Sequence, residues 1–114
     1  MSATIDVKQP VVTLINTFTV PADRQEELVR VLVDATEDVI KHMPGFVSAS
    51  IHRSLDGTHV ANYAQWRSRE DMEAMLRDPQ AREHIGRAGE LAEADPVLYT
   101  VAASIRVERV WASG

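Results

Sequence analysis

Between Val11 and Val20 the chain reads VVTLINTFTV, a β-branched run whose side chains fall into two alternating sets. Val12, Leu14, Asn16, Phe18 and Val20 share one face, and Thr13, Ile15, Thr17 and Thr19 share the other. A period of two predicts a strand with one face turned to a core. Pro21 ends it. Asp23 followed by Glu26 resembles a capping box, and Leu28, Val31, Leu32, Ala35 and Val39 then recur at helical spacing, which predicts a helix running to about Lys41.

Met43-Pro44-Gly45 breaks that pattern and hands over to a second strand, Phe46 to Ser54. Asp56-Gly57 signals a hairpin turn before a third strand, Thr58 to Trp66. With the turn centred there, Arg53 faces Val60, Ile51 faces Asn62, Ala49 faces Ala64 and Val47 faces Trp66. Ser68 is an N-cap for a short helix with Met72, Met75 and Leu76 on one side, and Asp78-Pro79 opens another with Ala81, His84, Ile85, Ala88 and Leu91 in its stripe. Alternation returns from Val97 to Val110, predicting a fourth strand.

The order βαββαβ predicts an α+β, ferredoxin-like fold in which helices cover one face of a four-stranded antiparallel sheet. The whole chain, 1–114, reads as a single domain with its core at about 11–110. The other sheet face would carry Ile15, Tyr63, Tyr99, Val101 and Ile105, too apolar to leave wet. A homodimer joined sheet to sheet is the simplest cover, and a chain of 114 residues gains much from such burial.

Charge and composition narrow the function. Seventeen acidic against 12 basic residues give a net charge of -5, and no Lys/Arg cluster suggests nucleic acid. Cysteine is absent, which removes thiolate metal sites and cysteine nucleophiles. No run approaches the roughly 20 apolar residues of a membrane span, and Met1 to Pro10 lacks the apolar stretch of a signal peptide, so a cytoplasmic protein is expected. No dinucleotide-binding, P-loop or serine-hydrolase motif occurs. An oxidation carried out here would have to draw its electrons from the substrate.

Asn62 and Trp66, four apart on the third strand, point to one face, and Asn16 reaches it from the first strand. Two amides and an indole N–H then share a mostly apolar chamber under the helices. They either satisfy one another and the backbone or meet a ligand, and as neutral donors they suit a carbonyl or a developing phenolate. His84 is either a satisfied core histidine or a proton acceptor facing the same chamber. Met72 and Met75 are either plain core or adaptable walls of a binding pocket. His52 and His59 lie near one another on the opposite face, but no third ligand joins them and no metal site is expected.

Met43-Pro44-Gly45-Phe46, Ser48-Ala49, Asp56-Gly57-Thr58 and Asn62-Tyr63-Ala64-Gln65-Trp66 together resemble the antibiotic-biosynthesis monooxygenase family, most of all the small quinone-forming anthrone monooxygenases of aromatic polyketide pathways. The resemblance runs over about 11–110. It implies a dimeric α+β barrel and a cofactor-independent oxidation of an electron-rich phenol or hydroxyanthrone, with molecular oxygen as co-substrate and a quinone as product. It also implies that Asn62 bonds the substrate's keto or phenolate oxygen and that Trp66 donates its indole N–H to the same oxygen or to a peroxy intermediate. His84 is the candidate proton acceptor, with water or the substrate's own phenol as alternatives, and Asn16, Met72 and Met75 would surround the substrate. The chain departs from the anthrone enzymes at Met72, where they can carry a pocket tyrosine, and at Ile85, about where they carry a helix arginine. A haem-binding and haem-degrading branch of the same fold offers an alternative using Asn16 and His84, although Met75 stands where that branch carries a tryptophan. A non-enzymatic dimeric ligand-binding or stress protein is a further alternative.

Overall fold

The computed structural model describes residues 11–107. Strand β1 spans Val12–Thr19, helix α1 Gln25–Asp38, β2 Phe46–Arg53, β3 His59–Trp66, α2 Arg69–Arg77, α3 Pro79–Leu91 and β4 Glu93–Thr100. All four strands form one antiparallel sheet in the order β2-β3-β1-β4, the ferredoxin-like arrangement expected of βαββαβ. The three helices pack on the face that carries Leu14, Phe18, Val60 and Trp66. Two apolar clusters form there. Phe18, Val20, Leu28, Leu32, Val60 and Ala88 make one, and Val39, Trp66, Met72, Met75 and Ala81 make the other.

Helix boundaries follow local chemistry. The expected capping box at Asp23 and Glu26 does not form: Ala22–Arg24 is a 3-10 turn closed by Arg24 N–H donating to the Pro21 carbonyl at 2.8 Å, and no side chain among the described residues caps α1. Proline fixes the entry angle, and the tighter turn makes Arg24 rather than Asp23 the N-cap residue of α1, so the Asp23 carboxylate is not in a capping position. At its far end α1 stops at Asp38, and a second 3-10 turn, Ile40–His42, completes the run foreseen to Lys41. Ser68 and Asp78 cap as expected: Ser68 Oγ accepts from Asp71 N–H, and Asp78 accepts from Gln80 and Ala81 N–H with Pro79 in the first turn.

The β2–β3 register agrees with expectation at Arg53↔Val60, Ile51↔Asn62 and Ala49↔Ala64. It departs at the other end. A bulge between Phe46 and Ser48 leaves Val47 unpaired and 43% exposed, so that Phe46, not Val47, faces Trp66. Asp56 pins the hairpin loop by accepting from Ser54 Oγ, Thr58 Oγ1 and Thr58 N–H. From α1, the buried Gln25 amide donates to the carbonyls of Ser54 and His59, clipping the hairpin to the helical layer.

Those bonds to the ionised form hold the Asp56 carboxyl down to about 2 from 3.8, Thr58 contributing most. A depressed folded value stabilises the hairpin above pH 3.8, and that support is lost as pH falls through about 2. Urea midpoints of wild type and Asp56→Ala should therefore differ at neutral pH and draw together as the solution is acidified toward that value. A gap that stays constant would show that the ionised carboxylate is not what stabilises the loop.

Strand β4 begins at Glu93, four residues before the expected Val97, and ends at Thr100 rather than Val110; the end foreseen at Val110 itself lies outside the described residues. The reason is its partner. Thr19 pairs with Glu93 and Val12 with Thr100, so β1 offers nothing for the chain beyond residue 100 to pair with. Tyr99 lies on the outer face with Ile15 and Tyr63, as expected, and Val97 joins them. Val101 and Ile105 do not, because they follow the strand; Ile105 is exposed.

Candidate active site

The sheet places the polar residues by simple alternation. Asn16 and Asn62 are direct cross-strand partners in β1 and β3, and Trp66 stands two alternations further along β3. All three point under the helices into a cavity of about 430 Å3 that lies between the two apolar clusters. Helix α1 contributes Leu32 and Ala35 to the wall, α2 Met72 and Met75, α3 His84 and Ile85, and β4 Ala94, Pro96 and Leu98. Leu76, Ile85 and Leu98 are more than a third exposed and frame an apolar mouth between the helices and β4.

Three atoms on this wall are buried without a hydrogen-bond partner among the described residues: Asn16 Oδ1, Asn62 Oδ1 and Trp66 Nε1. The two asparagines, although opposite one another, do not satisfy each other. The outer face of the same sheet is a useful contrast. There the buried Gln65 amide donates to Thr13 Oγ1 at 3.2 Å and to the Tyr63 hydroxyl at 3.3 Å. Leaving a buried polar atom unmade costs about 1–3 kcal/mol, so two amide oxygens and an indole N–H left open at one spot single this wall out as the candidate binding site.

His84 is half-buried on the cavity wall. Its Nδ1 lies 2.9 Å from the Gln80 carbonyl, which can only accept, so Nδ1 carries the proton and Nε2 is the nitrogen left to receive one. Among the described residues it is the sole titratable side chain on this wall. Met72 and Met75 are at once core and wall, both buried and both lining the cavity. His52 bonds Ser50 and His59 bonds Thr58, and among the described residues no three His, Asp or Glu side chains could hold a metal. None of the described helices is long and apolar enough to cross a membrane.

Sequence reasoning missed two parts of the site. The β4 wall went unread because Pro96 interrupts the strand signal, yet Glu93-Ala94-Asp95-Pro96-Val97-Leu98 already alternates, with Ala94, Pro96 and Leu98 as its apolar set. Phe46 was missed because a bulge leaves no mark in composition; the ring packs edge-to-face on Trp66 with centroids 5.4 Å apart and planes at 86°.

Comparison with known proteins agrees with this geometry. Residues 11–87 match the antibiotic biosynthesis monooxygenase family. The chain is 46% identical over 99 residues to tetracenomycin-F1 monooxygenase of Streptomyces glaucescens, covering 87% of this chain and 88% of that one. Among solved structures, a monooxygenase from the gene ActVA-Orf6 of Streptomyces coelicolor, in complex with nanaomycin D, superposes with a TM-score of 0.81 at 28% identity, covering 91% of this chain and all of that one. SnoaB of Streptomyces nogalater, a cofactor-independent oxygenase, shares the fold with a TM-score of 0.77 at 23% identity over 83% of this chain and 96% of its own. The alternative of a non-enzymatic binding protein gives way to these relationships. With its fold, its cavity of unpartnered polar atoms and its sequence all in agreement, the chain belongs to the antibiotic biosynthesis monooxygenase family and is a monooxygenase.

Proposed function

We propose that this enzyme oxidises an electron-rich phenolic or hydroxyanthrone compound to a quinone with molecular oxygen and no cofactor. The observation that carries the reading is the trio of unpartnered atoms, on Asn16, Asn62 and Trp66, around an otherwise apolar cavity. Its volume lies within the roughly 300–1,000 Å3 usual for small-molecule sites, and apolar walls suit a flat fused-ring guest. The names of the relatives support the class. One acts on tetracenomycin F1, one was solved with nanaomycin D, and one is described as cofactor-independent.

The chemistry follows from the donors. His84 Nε2 accepts a proton from the substrate, and the charge left behind spreads onto a ring oxygen held by the Trp66 indole N–H and, once its amide is turned, the Asn62 NH2 group. Such an anion reduces O2 far more readily than the neutral ring. A ring methylene and O2 thereby become a carbonyl and water, with one oxygen atom entering the product and the other leaving as water. Fixed neutral donors stabilise the anion without protonating it. The haem-binding alternative has Asn16 and His84 on the wall, but Met75 is packed in the core where that branch carries its tryptophan.

Dithranol, a hydroxyanthrone that oxidises slowly in air, provides the test. Wild type should accelerate quinone formation well above the uncatalysed rate in buffer cleared of metals by chelation. Rates that match buffer alone, for dithranol and for a panel of simpler phenols, would remove the reading.

A homodimer joined through the outer sheet face belongs to the same proposal. Val97 and Tyr99 are each more than 40% exposed there, beside Ile15 and Tyr63. Light scattering should give twice the chain mass of 12.7 kDa, and Tyr99→Asp should reduce it to one. A wild type that runs as a monomer at micromolar concentration would rule this interface out.

A further inference from the structure

We infer that Phe46 is a positioning residue for the reaction, acting through Trp66. The inference rests on the reading of Trp66 as a donor to substrate oxygen. Strict alternation would put Val47 on the cavity face opposite Trp66 and turn Phe46 outward. The bulge reverses this: one extra residue in β2 carries Val47 out to solvent and swings the Phe46 ring against the indole. Bulges beside functional sites commonly re-aim a side chain in this way.

The indole needs such a restraint. Trp66 is fully buried, yet its Nε1 is aimed into the cavity without a partner. An N–H in that state gains by rotating toward any acceptor within reach, and rotation about the two side-chain bonds would move Nε1 away from the substrate oxygen. Phe46, packed edge-to-face on the indole at 5.4 Å and 86°, holds the ring against such a rotation. Phe46 thus preorganises the donor before substrate arrives, and a small misplacement of a catalytic donor is costly in rate.

A double-mutant cycle tests this with dithranol as substrate. Phe46→Leu should lower kcat roughly tenfold with little change in KM, whereas Phe46→Tyr, which keeps the ring, should stay near wild type. In a Trp66→Phe background the same Phe46→Leu change should alter kcat by less than about twofold, because the group it positions is gone. Phe46→Met serves in place of Leu if far-UV circular dichroism shows that the leucine variant does not fold. A substrate-free readout comes from the Trp111→Phe protein, in which Trp66 is the only indole. Its near-UV circular dichroism band should weaken with Phe46→Leu and persist with Phe46→Tyr. If the losses in kcat multiply instead, Phe46 acts independently of Trp66 and the inference is overturned while the donor reading stands. If Trp66→Phe alone leaves kcat unchanged, the donor reading fails and takes the inference with it.

Discussion

Replacing Asn62 by Ala should lower kcat for hydroxyanthrone oxidation by roughly 100-fold, the usual consequence of deleting one donor from an oxyanion site. KM should move little, because the bond to substrate strengthens only as charge develops on the oxygen. Trp66 remains in this variant, so activity falls without vanishing. Asn62→Asp should be worse than Ala, since a carboxylate would sit beside the forming anion. Stability should run the other way. Asn62 Oδ1 is buried without a partner, so Asn62→Leu, of similar size and with no polar atom, should leave Tm unchanged or raise it while activity is lost. Steady-state rates and thermal melts on the same preparations check both halves. An Asn62→Leu protein that melts well below wild type would mean that the amide is structural.

Gly45→Ala should destabilise the fold by about 2–5 kcal/mol and lower Tm by roughly 10 °C or more. Two independent costs meet there. Gly45 adopts φ +85°, a left-handed conformation that carries strain for any residue with a Cβ, and an added Cβ would collide with the Asp71 side chain at the start of α2. Asp71 cannot simply swing aside, because the clash includes its Cβ, which a change of rotamer does not move. The Gly45 carbonyl also accepts from Arg67 N–H at 2.7 Å, tying the start of β2 to the end of β3. Gly57→Ala provides the comparison. Its φ is similar at +82°, but the new Cβ would meet only the Ala22 methyl at 3.6 Å, so the loss should be about 1 kcal/mol. Equal losses at the two positions would show that backbone strain, and not the approach of Asp71, sets the cost.

Asn16, Asn62 and Trp66 were legible together because strand alternation is strict where no residue is inserted, and both strands run unbroken from Val12 to Thr19 and from His59 to Trp66. His84 was legible because it falls on the same helical stripe as Ala81 and Ala88, which are buried. Val47 was misplaced because one inserted residue shifts every side chain before it to the other face, and no residue type announces the insertion. The fourth strand was read too late and too long because its limits are set by pairing with β1, a partner about 80 residues away, and not by its own pattern. That the asparagines remain unpaired could not be read at all. Their spacing is equally compatible with a mutual hydrogen bond, and only the three-dimensional packing decides it.

The two outermost strands have a further consequence for how the protein behaves at high concentration. A bare strand at the rim of a sheet invites another chain to continue the ladder, the first step toward fibrous aggregates. Here one rim, β2, is broken by the insertion at Val47, and the other, β4, carries Pro96, which has no N–H to offer a newcomer. Both rims of the sheet are thereby made poorer templates for strand addition, and the same two irregularities that shape the pocket work against aggregation.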